Sequence, residues 1–293
     1  MKFLEKNPLI MIVVGVIGIS LSSIFVKWSA APSAVTAASR LLWTVILMTP
    51  VVLGKRSVRA ELKGCSRRTI ILSILSGLFL AIHFVVWFES LLHTSVASST
   101  VIVCTEVIWV SLGYWLFMKG KISVKAVGAI LITLIGSVMI AYADSGSGSH
   151  LYGDVLALVA AVAVAVYMLL GRMVRENTST AVYTYLVYTA CAAILVIVCM
   201  VQGNDMLGYG WSPVAMGLLL AVFSTILGHS IFSWCLKFFS PSFVSASKLC
   251  EPVVASVLAA GLFGELPSWM QVTGGILILT GVFYYSRIEK AKE

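Results

Sequence analysis

Charge is scarce in this chain. Only 11% of its 293 residues are charged, 60% are hydrophobic, and the mean hydropathy is +1.02. Soluble domains carry roughly 25% charged residues. The shortage excludes a soluble globular chain and leaves little length for a separate soluble domain. Strict apolar–polar alternation is also missing. The apolar runs are continuous, which argues against a transmembrane β-barrel. No glycine-rich phosphate loop with its lysine occurs, so the chain shows no means of driving transport with ATP. No nucleophile stands at usable spacing from a base. The six cysteines, Cys65, Cys104, Cys191, Cys199, Cys235 and Cys250, form neither CxxC nor a metal-ligand pattern. They read as small apolar packing residues, and no metal or cofactor is called for.

What is present is a series of apolar windows of about 20 residues, the length that crosses a bilayer. They predict an all-α integral membrane protein with ten transmembrane helices. Span 1 covers about Pro8 to Ala30, span 2 Ser33 to Leu53, span 3 Thr69 to Leu92, span 4 Ser95 to Phe117, and span 5 Val124 to Ala143. Asp144-Ser145-Gly146-Ser147-Gly148-Ser149 then reads as a flexible linker. Span 6 covers about Gly153 to Leu170, span 7 Thr180 to Val201, span 8 Pro213 to Phe238, span 9 Ser242 to Phe263, and span 10 Ser268 to Tyr285. Lys2 and Lys6 followed by Ser29-Ala30-Ala31 resemble a signal peptide, but the apolar stretch from Pro8 is too long for one, so span 1 is expected to remain.

The few charges are sorted by side. Lys2, Lys6, Lys55, Arg56, Arg59, Lys63, Arg67, Arg68, Lys119, Lys121, Lys125, Arg172, Arg175, Lys237, Arg287, Lys290 and Lys292 all fall on the side of the termini, 17 of the 20 basic residues. The opposite connections, around Ala31, His93, Ser147, Asn204 and Glu265, hold no lysine or arginine. This asymmetry predicts a multi-pass protein of the plasma (inner) membrane with both termini cytoplasmic. The net charge of +8 is therefore a topology signal with a contribution from anionic lipids, and no nucleic-acid footprint is expected.

An odd number of spans in each half gives the second half the opposite orientation. The expected organisation is two inverted five-helix repeats, residues 1–143 and 151–293, joined by the Gly/Ser linker at 144–150. Short echoes support it. Thr105-Glu106-Val107 parallels Cys250-Glu251-Pro252-Val253, Gly136 parallels Gly281 at the end of similar apolar runs, and His83 and His229 each lie one span upstream of a glutamate. The second half also carries Gly228-His229, Leu236, Glu251-Pro252-Val253 with Ala255, Gly264-Glu265, Gly274, Ile278 and Gly281. This pattern resembles the EamA-type signature of the drug/metabolite transporter superfamily. The first half departs from it, with Val107 after Glu106 and Lys119-Gly120-Lys121 in place of Gly-Glu. The resemblance implies a secondary carrier, often an exporter of amino acids, related metabolites or drugs, and a fold of two five-helix repeats.

Ionisable residues inside apolar runs are costly, on the order of 3 kcal/mol each on insertion scales, and point to a site or pathway. Glu251 and Lys248 are three residues apart, which on one helix predicts an ion pair. Pro252 removes a backbone donor and predicts a local break. Glu106 has no basic residue within a turn; its candidate partners are Lys248, His83, His229 and Arg40. Being alone makes Glu106 the preferred carboxylate for proton exchange or cargo contact, with the Lys248–Glu251 turn the more structural. His83 and Trp87 share one face of span 3, with Ser90 a turn further, a polar stripe suited to a cavity wall. His229, behind Gly228, reads either as a titrating group or as a histidine hydrogen-bonded to a neighbouring helix. Tyr167 is a pocket candidate, whereas Tyr183, Tyr185 and Tyr188 read more safely as interfacial belts. Lys27 is expected to reach the outer interface. Arg40 lies two turns inside span 2, to pair with a buried carboxylate or an anionic cargo.

The expected activity is secondary transport of a small organic substrate, an amino acid or related compound, outward in direction as the resemblance implies, with protons as the candidate coupling ion. Spans 1, 3, 4, 6, 8 and 9 would form the cavity wall. An intramembrane enzyme or lipid-handling protein using the same glutamates and histidines is the second reading.

Overall fold

The computed structural model describes residues 8–94, 96–144, 151–254, 257–258 and 268–290. The linker at 145–150, Ala255, Gly264-Glu265, the end of span 9, and Lys2, Lys6 and Lys292 lie outside the described residues. No strand occurs among those described. Among the described residues, seven helical stretches are long and apolar enough to cross a membrane: Pro8–Trp28, Ser33–Gly54, Arg67–His93, Ser99–Met118, Leu151–Arg175, Thr180–Val201 and Trp211–Cys235. Val124–Ile140 is a shorter apolar stretch.

Span 1 is divided into α1 (Pro8–Ser20) and α2 (Ser22–Trp28), and span 2 is α3 (Ser33–Gly54). A short surface helix, α4 (Arg56–Lys63), stands where the sequence showed only a basic connection. Span 3 is α5 (Arg67–His93), and span 4 is divided into α6 (Val96–Cys104) and α7 (Glu106–Met118). Then come α8 (Val124–Asp144), α9 (Leu151–Arg175) and α10 (Thr180–Val201). Span 8 opens as α11 (Trp211–Leu219), continues as a π-helix (Leu220–His229) and closes as α12 (Ser230–Cys235). Span 9 begins with α13 (Pro241–Lys248), and α14 (Trp269–Lys290) is the last helix.

The starts of these helices follow from local chemistry. Ser66, Ser179 and Ser240 sit in extended conformation and cap α5, α10 and α13, each hydroxyl accepting from the backbone N–H three residues on. Pro241 adds a fixed φ at the first position of α13. The break in span 1 coincides with Ser20, whose hydroxyl donates back to the Val16 carbonyl, a bond that bends helices.

The helices pack in pairs. α9 lies along α5, and α1 lies along the π-helix. α10 packs on α3, α7 on α13, and α8 on α14. Two of these contacts are made by backbone. A Cβ on Gly18 would lie 2.6 Å from the Phe223 carbonyl oxygen, and one on Gly228 would lie 2.6 Å from Ile19, so α1 and the π-helix touch with nothing between them. Gly136 and Gly274 bring α8 and α14 equally close, a Cβ on either meeting the other's carbonyl oxygen at 2.5 or 2.6 Å. Small residues at such crossings are the usual means of helix association in lipid. Large apolar side chains such as Trp115, Phe117, Val138, Ile197 and Phe283 stand exposed on the outer faces, where lipid covers them.

The tyrosines are internal. Tyr183 and Tyr188 are fully buried and hydrogen-bonded, Tyr183 with Ser76 at 2.8 Å and Tyr188 with Ser230 at 3.0 Å. They tie α10 to α5 and α12, so the belt reading does not hold for them. Tyr185 is half-buried, 3.2 Å from the Thr49 hydroxyl.

Candidate functional site

Spans 4 and 9 break at corresponding places. In span 4 the α-helical ladder stops at Cys104. The Thr105 N–H turns back to Ile102 and the Ile108 N–H to Thr105, bonds one residue tighter than an α-helix, and α7 restarts at Glu106. In span 9 α13 stops at Lys248. The N–H groups of Leu249 and Cys250 donate to Ala246 and Ser247, and helix resumes over residues 251–254, starting at Glu251. Each glutamate therefore opens a helical segment, where free N–H groups favour a negative charge. Pro252 falls in the first turn of its segment, a position that needs no donor. Val107 holds the matching place in span 4, and the break forms there without proline.

The break redirects Lys248. Three-residue spacing places two side chains on one face only if the helix is continuous, and here it is not. Lys248 Nζ pairs instead with Glu106 Oε1, at 2.9 Å across the interface between α13 and α7. Ser245 Oγ, one turn before Lys248, donates to the same Oε1 at 2.9 Å. Met168 Sδ at 3.4 Å and the Phe232 ring at 5.4 Å complete the lysine's surroundings. Among the described residues Glu251 has no ion-pair or hydrogen-bond partner for its carboxylate; only its backbone carbonyl is met, by Ser20 Oγ at 3.5 Å.

Both glutamates and Lys248 line a cavity of about 40 Å³ with Ile19, Ser22, His83, Trp87, Val103, Cys104, Val164 and His229. The lining comes from spans 1, 3, 4, 6, 8 and 9. A space of this size holds a water and is too small for an organic metabolite.

The two histidines meet at its wall, their ring centroids 6.3 Å apart. His83 Nδ1 lies 3.0 Å from the Ala160 carbonyl, which fixes Nδ1 as the donor and leaves Nε2 as an acceptor. Its ring stacks on Trp87 at 5.8 Å and 13°. His229 touches Phe84 and Tyr167 by ring contact and has no hydrogen bond among the described residues, so the reading of a histidine tied to a neighbouring helix is not met. Tyr167 is buried behind it, its hydroxyl 3.0 Å from Ser233. The indole N–H of Trp87 is buried without a partner.

Arg40 lies one side chain behind the wall and is fully buried. Its Nε donates to Thr225 Oγ1 of the π-helix at 2.7 Å, its Nη1 donates to Ser22 at 3.3 Å, and its guanidinium sits 4.1 Å over the Phe84 ring. Nη2 has no partner, and no carboxylate pairs with this cation among the described residues. Lys27 is exposed and Glu89 half-buried near the outer ends of their helices, Glu89 3.2 Å from His93. The cysteines are free, and Cys104 is the one whose side chain borders both the cavity and the break.

Sequence reasoning missed three participants, Ser245, Thr225 and Met168, whereas Ser22, read with Ser23 as a close helix contact or a cavity face, does line the cavity. Ser245 carried the one usable signal, a hydroxyl one helical turn before an intramembrane lysine. The π-helix carried none. Its wide turn shows in the Ser230 N–H donating to the Thr225 carbonyl, five residues earlier, and the hydroxyls of Thr225 and Ser230 also reach back five residues, to Leu220 and Thr225. Single π turns gather at functional sites, and this one ends at His229.

An apolar helical bundle with paired charges around a central cavity is the construction of a membrane transporter, and the comparisons agree. Residues 151–287 match the EamA-like transporter family. Transporter YxxF of Bacillus subtilis, whose printed name describes it as uncharacterized, is 28% identical over 74% of this chain and 70% of its own. A Salmonella typhimurium protein named "Probable amino-acid metabolite efflux pump" is 28% identical over 59% of this chain and 61% of its own. The crystal structure of a further protein superposes over 98% of this chain and 99% of its own with a TM-score of 0.79 and 17% identity, which shows a common fold. The second half of the chain thus matches the EamA-like transporter family, and the chain is similar over most of its length to membrane transporters.

Proposed function

We propose that the protein is a secondary transporter that carries a small organic metabolite, an amino acid or related compound, out of the cell across the plasma (inner) membrane. It does so by alternating access around the cavity at Glu251, between two inverted five-helix repeats spanning residues 1–143 and 151–293. The pairing of helices supports the repeats. Shifting each span by five maps the α9–α5 contact onto that of α1 with the π-helix, and maps the α3–α10, α7–α13 and α8–α14 contacts onto themselves. The matched breaks at Glu106 and Glu251 follow the same rule. The sorting of basic residues supports cytoplasmic termini. The name of the Salmonella relative, an amino-acid metabolite efflux pump, supports outward movement of such a compound.

The observation that carries the reading is the unspent charge around the cavity. Lys248 and Glu106 neutralise each other. Glu251 is left as an unpaired carboxylate on the wall, and Arg40, behind Ser22, as a cation whose Nη2 has no partner among the described residues. A zwitterion matches that arrangement, its ammonium meeting Glu251 and its carboxylate the donors of Trp87 and Arg40. Charge-assisted bonds of this kind are roughly twice as strong as neutral ones. Glu251 also gives protons a place to couple, because its neutral and ionised forms differ by one full charge inside the cavity, whose wall it shares with His229. The family and the relatives are transporters, which points away from the enzyme reading.

The test is counterflow in proteoliposomes. Vesicles preloaded with an unlabelled amino acid should accumulate the labelled one saturably, and a panel of zwitterions, anions and cations should rank zwitterions first. Absence of counterflow across the panel, with consumption of a compound in detergent, would overturn the reading.

A further inference from the structure

The short helix α4 has no part in the cavity, and its placement is specific. It packs against α3 and α10. Val58, Glu61 and Leu62, at i, i+3 and i+4, are its half-buried residues and form the docked face. Arg56, Arg59 and Lys63, at i, i+3 and i+7, form an exposed stripe on another face, flanked by exposed Lys55, Arg67 and Arg68. None of these six cations makes an ion pair among the described residues. The apolar boundary lies next to them. Val51 and Leu53 are exposed just before α4, and Ile70 and Ile71 just after it, on helices that cross the membrane. The basic stripe therefore stands at the level of the lipid headgroups, on the side where basic residues collect.

Glu61 connects this helix to the second half of the chain. Its Oε1 accepts from the backbone N–H of Ser179 at 2.6 Å, and Ser179 is the residue that caps α10. A carboxylate from the first half thus completes the N-terminus of a membrane-spanning helix of the second, where the helix dipole favours it. The neighbouring Arg175 is buried and donates to the carbonyls of Ser233 and Thr178, so the segment joining α9 to α10 is itself anchored to α12.

We propose that α4 binds the headgroups of anionic phospholipids through Arg56, Arg59 and Lys63, and that Glu61 conveys this attachment to α10, so that anionic lipid strengthens the contact between the two halves. Compact cations beside an apolar boundary complement phosphate groups held in the same plane, and such attraction grows with the number of basic residues near the surface. The inference is independent of the cargo.

Thermal unfolding of the full chain in nanodiscs tests it, with phosphatidylcholine alone compared against a mixture containing phosphatidylglycerol. The wild type is expected to gain several degrees in the mixture. The triple variant Arg56→Gln, Arg59→Gln, Lys63→Gln is expected to lose that gain, whereas Lys119→Gln, Lys121→Gln, Lys125→Gln, which removes equal charge from another connection, keeps it. Glu61→Gln is expected to retain binding of a fluorescent phosphatidylglycerol while losing the gain in midpoint. Should the triple variant fail to fold, Arg59→Gln alone is expected to weaken binding of the same probe. A triple variant that keeps the full gain, a control that loses as much, or unchanged probe binding by Arg59→Gln would each overturn the proposal.

Discussion

Glu106 and Glu251 hold equivalent places in the two halves and have opposite surroundings. Each opens a helical segment after a one-turn break, and each borders the same cavity. Glu106 is held by Lys248 and Ser245, both from the other half of the chain. Glu251 is held by neither. A shared backbone geometry thus produces one structural carboxylate and one open one, and the choice is made by where a single lysine points. The lesson concerns spacing. On paper Lys248 belongs to Glu251, three residues away, but the helix ends between them and gives the lysine to Glu106.

The strongest way to break this contrast is to remove the lysine. Lys248→Ala leaves Glu106 buried and unpaired, a change that typically costs about 3–5 kcal/mol, and the thermal midpoint in detergent should fall accordingly. The double variant Lys248→Met, Glu106→Gln should recover much of that loss, because no uncompensated charge remains. Glu106→Gln alone is expected to destabilise by a comparable amount, while Glu251→Gln, which disturbs no pair, should stay within about 0.5 kcal/mol of wild type. The same measurement therefore separates the two glutamates.

A smaller effect sharpens it. Ser245→Ala removes a hydrogen bond to a charged acceptor and is expected to cost about 1.5 kcal/mol, with the Lys248–Glu106 pair intact. Stability measured in the Lys248→Met, Glu106→Gln background should then show little further loss. Ser20→Ala, near Glu251, removes contacts to uncharged backbone carbonyls only, those of Val16 and Glu251, and should cost less.

Much of the fold was legible because membrane spans are set by apolar run length. Span 7 was expected over Thr180 to Val201 and is observed over Thr180–Val201. The cavity wall was legible through His83, Trp87, Glu106, Glu251, Lys248 and His229, since polar groups in lipid must face protein or water. The departures from α-helix were not. No proline stands beside Thr105 to mark its break, and the π-helix over Leu220–His229 has no residue pattern that sets it apart from an α-helix. Arg40 and the buried tyrosines were placed poorly for the same reason: depth along a span is readable from sequence, whereas the face turned inward depends on packing. The surface helix α4 is too short, at 8 residues, for its periodicity to stand out from a basic connection.

The smallest expected effect concerns orientation. Cys65 lies between α4 and α5, half-buried beside Glu61, and both burial and that carboxylate raise its thiol above the ordinary value. The thiolate is the reactive form, so labelling by a membrane-impermeant maleimide should be slow at neutral pH and accelerate as pH rises. It should occur from the cytoplasmic side only, in inside-out vesicles and not in right-side-out ones.

The central claim is that Glu251, and not Glu106, meets cargo or protons. The most direct measurement is the pH profile of amino-acid counterflow by Glu251→Gln in proteoliposomes, with protein shown to be folded by its thermal midpoint. The account predicts a wild-type midpoint together with a loss of counterflow of about tenfold or more, equivalent to about 1.4 kcal/mol, and no remaining dependence on pH. A folded Glu251→Gln protein that transports at the wild-type rate with the wild-type pH profile would contradict it.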